Sequence, residues 1–164
     1  MDINVPMSID SQTVFPWLSL IVLLPAVGAL IMPFLPTQES KNTNLPRNIA
    51  LAVLFADFLI IVGAFATLFD PSSESLQLVE RLQWLPSIGL EWSLGVDGIS
   101  APLVVLSGLI TLLSAAASWK VKQKTRLYFS LLLIQASAQA LVFLSQDFLL
   151  FFLAWELELV PVYL

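Results

Sequence analysis

The chain has 164 residues, of which 58% are hydrophobic and 12% charged, with a formal net charge of −5 and a mean hydropathy of +0.89. That length would suit one soluble domain, but the composition excludes an ordinary soluble protein and points to an all-α polytopic membrane protein. With no cysteine and no histidine, the chain alone builds no Fe–S cluster, bis-His haem or His-ligated zinc site, so no cofactor is expected in it.

The N-terminus, Met1-Asp2-Ile3-Asn4-Val5-Pro6, lacks the basic region of a secretory signal. No small-residue cleavage site follows the first apolar run, so that run is expected to be retained. After a tail over 1–16, spans are expected at 17–35, 48–69, 99–119, 127–144 and 148–164. Each has about the 17–25 residues needed to cross a bilayer, except the last, which stops inside its apolar run. The reading is therefore of the first five transmembrane helices of a longer protein.

Five spans put the loops between the first and second, and the third and fourth, on one side. Those loops hold Lys41, Arg47, Lys120, Lys122, Lys124 and Arg126, the last four in a basic loop over 120–126. The other side holds Asp2, Asp10, Asp70, Glu74, Glu80, Glu91, Asp97 and Asp147, with Arg81 as its one basic residue. The positive-inside rule then places the N-terminus away from the cytoplasm. A nucleic-acid partner is not expected, because the basic cluster is only a short loop between spans.

Residues 70–98 form the longest connection. Alternation of apolar and polar residues in the first half of 75–85 fits an interfacial strand or a short amphipathic helix, and so few residues do not decide between them. Trp84 and Trp92 suit the headgroup level. In Leu94-Gly95-Val96-Asp97-Gly98-Ile99-Ser100, Asp97-Gly98 predicts a turn, and Asp97 or Ser100 can cap the third span, with Pro102 in its first turn.

Small residues at Gly28, Ala29, Gly63, Ala64 and 115–117 suit close helix packing, and Pro25 and Pro33 are read as bends in the first span. On the fourth span, Ser130 and Ser137 share one face while Gln135 and Gln139 share a nearly opposite one. Polar groups on both faces predict a helix surrounded by protein. No internal repeat is visible.

Three acids lie inside the expected spans, Asp57, Glu156 and Glu158, and no basic residue does. Glu156 lies nine residues beyond Asp147, about 13 Å at the helical rise and near half of a roughly 30 Å hydrocarbon core. A charge at that depth costs about 2.5–3.5 kcal/mol on insertion scales and marks a candidate functional site. Such an acid either keeps its proton or finds a cation elsewhere, and a proton relay needs that dependence. Glu156 and Glu158 are about 200° apart on a helix and face different neighbours. Pro161 cannot donate to the carbonyl of Leu157, which frees an acceptor beside both glutamates.

The run Ala154-Trp155-Glu156-Leu157-Glu158-Leu159-Val160-Pro161-Val162-Tyr163-Leu164, with the 94–100 motif, resembles the chain 4 family of photosynthetic-type NAD(P)H-quinone oxidoreductases. These are antiporter-like membrane-arm subunits of the complex I relatives of cyanobacteria and chloroplasts. The resemblance covers all five spans. It implies a fourteen-helix subunit with two inverted five-helix repeats and a lumenal N-terminus, in a thylakoid membrane. It also implies that Glu156 is the family's fifth-helix glutamate, which pairs with a lysine on a broken seventh helix to help move protons. Asp57 matches no motif of the family, and Glu158 is a further candidate of the same helix.

As partners, the resemblance implies the lipid bilayer and other membrane-arm subunits. Plastoquinone, Fe–S clusters and the donor, ferredoxin or NAD(P)H, would be bound by those other subunits. Two other readings stay open: a subunit of a multi-component sodium/proton antiporter, and a structural scaffold whose acids remain neutral. Variant chain 4 subunits that serve CO2 uptake also belong to the resemblance.

Overall fold

A hydrocarbon solvent offers no partners to backbone amides, so long apolar runs close their hydrogen bonds internally as helices. The structure, a computed structural model, describes residues 15–34, 45–73, 75–121 and 124–163. The tail over 1–14, Lys41 and the rest of 35–44, Glu74, Lys122 and Leu164 lie outside the described residues. The described residues form five α-helices and one hairpin: α1 (Trp17–Ile31), α2 (Leu45–Leu68), β1 (Gln77–Leu85), β2 (Leu90–Val96), α3 (Ser100–Ala117), α4 (Thr125–Leu144) and α5 (Phe148–Tyr163). Residues 17–34, 45–68, 100–120 and 125–144 are each long and apolar enough to cross a membrane. The 16 described residues of α5 reach about 24 Å. The chain is a multi-pass membrane protein.

Two helices begin earlier than the hydropathy suggests. α2 starts at Leu45 with Pro46 in its first turn, where a missing amide costs nothing. α4 starts at Thr125. Arg47 and Arg126, expected in the loops, therefore lie in first helical turns. Arg47 is buried, with its guanidinium 3.6 Å from the centroid of the Trp119 ring. Pro25 sits in the middle of α1, and Pro33 in the 3₁₀ turn Met32–Phe34 that follows it.

The open question over 75–85 resolves as a strand. β1 and β2 pair antiparallel, with Glu80 opposite Leu94 and Leu85 opposite Leu90. A 3₁₀ turn at Pro86–Ile88 joins them, closed by Gly89 at φ 71°, where glycine carries no steric penalty. β2 is buried from Ser93 to Val96 and lies across the helix ends. Gly95 leaves room for the Leu76 side chain, which a Cβ there would meet at 2.7 Å.

A register shift between Gln77 and Glu80, the kind of bulge that re-aims a side chain, leaves Glu80 facing α1. Its carboxylate accepts from the amides of Leu18 at 2.7 Å and Ser19 at 2.9 Å, and from the Ser19 hydroxyl. An acid from the hairpin thus caps the positive end of α1. Trp92 Nε1 donates to Ser19 Oγ at 2.8 Å, and its ring meets Trp84 edge-on at 6.2 Å.

Both capping residues expected before α3 take part. Asp97 Oδ1 accepts from the amides of Ile99 at 3.0 Å and Ser100 at 2.7 Å, while Ser100 Oγ accepts from the Asp97 amide at 2.9 Å. The amides of Ser100, then Ile99, hold the Asp97 carboxyl below its ordinary value. Asp147 Oδ1 caps α5 through the amide of Leu150 at 2.8 Å. The turn between α4 and α5 is tied to β2 by the Gln146 amide, which donates to the Ser93 carbonyl at 2.8 Å.

α4 packs against each of the other four helices. Ser130 Oγ donates to the Ala29 carbonyl at 2.9 Å and Ser137 Oγ to the Val22 carbonyl at 2.7 Å, both on α1. Gly28 packs closely, since a Cβ there would lie 3.2 Å from Val53. Ala29, Ala64 and Ala115 are buried, but Gly63, Ala116 and Ala117 are exposed, and a Cβ at Gly63 would meet nothing within 4 Å. The apolar core falls into two clusters. One, at the hairpin end, includes Ile21, Val22, Ile61, Val104, Leu141 and Ala154. The other includes Ala29, Leu54, Ala115, Phe129 and Leu133.

Candidate functional site

The level between the two clusters is polar. Along α2 it holds Asp57, between Leu54 and Ile61; along α3 it holds Thr111, between Val104 and Ala115; along α4 it holds Ser137. On α5 the step beyond Ala154 is taken by the two glutamates.

Helical geometry sends those glutamates apart. Glu158 is half-buried toward α4, where its Oε1 accepts from Gln135 Nε2 at 3.0 Å and Gln139 Nε2 at 3.2 Å. The amides sit one turn apart on α4 and reach the same oxygen from above and below. Glu156 points from the outer face of α5, exposed, and makes no hydrogen bond or ion pair among the described residues. A cleft of about 640 Å³ runs between α4 and α5, bounded by Lys124, Tyr128, Gln135 and Pro161 among others. Pro161 lies inside α5 and lines this cleft, while Leu157, whose carbonyl it cannot serve, lines a separate groove with residues of α1 and α4.

Asp57 is 5% exposed and its Oδ1 has no hydrogen-bond partner. Burying a polar atom in this way costs about 1–3 kcal/mol, so it asks for an explanation. The carboxyl borders a cavity of about 10 Å³ whose wall includes Ser107, Gly108 and Thr111 of α3. Thr111 Oγ1 has one proton and two acceptors, the Ser107 carbonyl at 2.8 Å and Gln139 Oε1 at 3.4 Å. Gln139 in turn donates to Glu158.

The structure thus brings Asp57 and Glu158 to the two ends of one polar line, and leaves Glu156 outside it. The expectation that Gln135 and Gln139 serve a second neighbour agrees with this arrangement. Ser107 and Thr111 were missed as residues that line the cavity beside Asp57. Their four-residue spacing within a span was the legible signal, since it puts both hydroxyls on one face. Among the described residues, no group of three or more His, Cys, Asp or Glu side chains could hold a metal ion.

Residues 5–145 match the family described as NADH-ubiquinone oxidoreductase chain 4, amino terminus. NAD(P)H-quinone oxidoreductase chain 4 2 of Microcystis aeruginosa is 51% identical over 150 residues, which cover 92% of this chain and 27% of that protein. NAD(P)H-quinone oxidoreductase chain 4 of Prochlorococcus marinus is 49% identical over 161 residues, covering 98% of this chain and 28% of that one. The chain therefore spans little more than a quarter of the length of these relatives. A chain of respiratory complex I from Thermus thermophilus with bound NADH superposes with a TM-score of 0.69 at 25% identity, over 88% of this chain and 27% of that one. This chain belongs to the NADH-ubiquinone oxidoreductase chain 4 family, and what it carries is the family's amino-terminal region.

Proposed function

We propose that the chain is the front part of a proton-translocating, antiporter-like subunit of a photosynthetic-type NDH-1 complex, and that Glu156 is a member of its proton relay. The subunit itself carries no electrons. Other subunits of the complex bind plastoquinone and the Fe–S clusters and receive electrons from ferredoxin or NAD(P)H. The protein sits in a thylakoid membrane with its N-terminus and hairpin on the lumenal side and the Lys120–Arg126 end on the cytoplasmic side.

The observation that carries this reading is the placement of Glu156. It is a carboxylate about 13 Å from the polar edge of α5, exposed and without a hydrogen bond or ion pair among the described residues. Isolated in hydrocarbon, such a group is costly. Its charge state is then set by whatever packs on that face, and a movable cation there would load and unload its proton. The membership in the chain 4 family and the fit to a respiratory complex I chain support the same reading.

The test is Glu156→Gln in the full-length protein within its assembled complex. Proton translocation should fall at least tenfold while assembly is unchanged. Wild-type pumping in an assembled Glu156→Gln complex overturns the assignment. Purification of the full-length protein with partners that hold no redox centre would instead fit the sodium/proton antiporter reading.

A further inference from the structure

We infer that Asp57 is a second proton-binding site of this chain, formed with Ser107 and Thr111 around a space the size of one water molecule and joined through Gln139 to Glu158. It rests on the proton-translocation reading and adds a site to it.

Three independent observations converge on the site. First, Asp57 is a 95% buried acid midway along α2, in the level where the apolar core is interrupted. Second, its Oδ1 lacks any protein partner. Third, the adjoining cavity of about 10 Å³ is at the lower bound for one water molecule, and its wall supplies the polar partners that such a water needs. Gly108 helps keep that space: a Cβ there would lie 3.0 Å from Ile61 Cδ1.

Among the described residues, no cation is at hand to hold Asp57 ionised. α1 and α3 carry no titratable side chain. On α2, Arg47 lies ten positions away, about 15 Å, and is stacked on Trp119. On α4, Arg126 and Tyr128 lie at the far end of the helix from Gln139. The nearest titratable group along the polar line is Glu158, another acid. Burial beside hydroxyls, without a paired charge, favours the neutral carboxylic acid.

The chemistry is proton exchange alone. The carboxylic acid gives its proton to a water in the cavity and takes one back, with no change in oxidation state. Thr111 has a single hydroxyl proton and two protein acceptors. Its orientation therefore changes with the charge on Asp57, and Gln139 passes that change to Glu158 as a hydrogen-bond rearrangement, not as a transferred proton.

Infrared difference spectra of the assembled complex containing the full-length protein test this. In wild type, one protonated-carboxyl band should shift on transfer to D2O, and Asp57→Asn should remove it. Proton translocation in Asp57→Asn should fall about threefold or more. An unchanged spectrum in an assembled Asp57→Asn complex overturns the inference, as does a band that never exchanges. If Asp57→Asn prevents assembly, Thr111→Val, close in shape, decides: a displaced Asp57 band supports the site and an unmoved one overturns it. Loss of pumping in Glu156→Gln with no Asp57 band defeats this inference alone. An exchanging Asp57 band with full pumping in Glu156→Gln defeats the proton-translocation reading of Glu156 instead.

Discussion

Glu156 and Glu158 stand two residues apart on α5 and are turned to opposite sides: Glu158 is held by Gln135 and Gln139 of α4, while Glu156 emerges bare from the outer face. Helical periodicity alone requires this divergence. Its consequence is a division of labour. One glutamate is held by the packing of this chain, and the other is exposed on the open side of α5.

The two amides that hold Glu158 are predicted to act as a unit. In membranes an interhelical hydrogen bond contributes about 0.6 kcal/mol on average, up to about 1.7. Gln135→Leu with Gln139→Leu should therefore lower the thermal unfolding midpoint of the full-length protein in detergent. Adding Glu158→Leu to that pair should restore part of the loss, because it removes a polar group left without donors. A triple variant less stable than the double would contradict the role given to the amides.

Glu80 is predicted to anchor the hairpin to α1. Glu80→Ala removes the acceptor for the amides of Leu18 and Ser19 and should cost about 1 kcal/mol, the usual effect of losing a helix cap. Amide hydrogen exchange at these two residues should rise, with Glu80→Gln intermediate because it keeps an oxygen but loses the charge. Unchanged exchange in Glu80→Ala would show that the cap is not formed.

Asp97 gives a pH signature. Its folded value lies below the ordinary 3.8 because the amides of Ser100 and Ile99 bind the charged form. A carboxyl depressed in this way contributes stability above its unfolded value, and the contribution is lost as pH falls through the folded one. Wild type should thus hold a constant stability advantage over Asp97→Ala above pH 3.8, shrinking below it. Parallel curves through that range would contradict the cap.

Much of this architecture was legible before any coordinates, and the parts that were not share one physical cause. The spans, the opposed faces of α5 and the two-sided polarity of α4 follow from local period, which the sequence displays directly. The amides that Glu80 accepts from are 61 and 62 residues distant, and the polar wall of the cavity beside Asp57 lies on another helix. No spacing rule reaches across such separations. Residues 75–85 stayed undecided because the alternation fades in the second half, where β1 turns largely exposed side chains outward. Arg47 and Arg126 were read as loop residues because hydropathy marks where a helix is apolar, not where its backbone bonds begin.

Arg47 and Trp119 are predicted to fasten α2 to the end of α3. A guanidinium over an indole face contributes about 0.5–2 kcal/mol, more where water is excluded. Trp119→Leu should destabilise the full-length protein by that amount, and Trp119→Phe by less. Arg47→Lys should also lose stability, because a point charge does not stack as a planar group does. Equal stability of Trp119→Leu and wild type would contradict the contact.

The most direct measurement sets Glu156→Gln beside Glu158→Gln in the assembled complex, reading protons moved per electron delivered to quinone in sealed vesicles. The ratio should fall steeply in Glu156→Gln, with assembly intact. In Glu158→Gln it should fall less, because that side chain already sits among neutral amides. A wild-type ratio in Glu156→Gln would contradict the account at its centre.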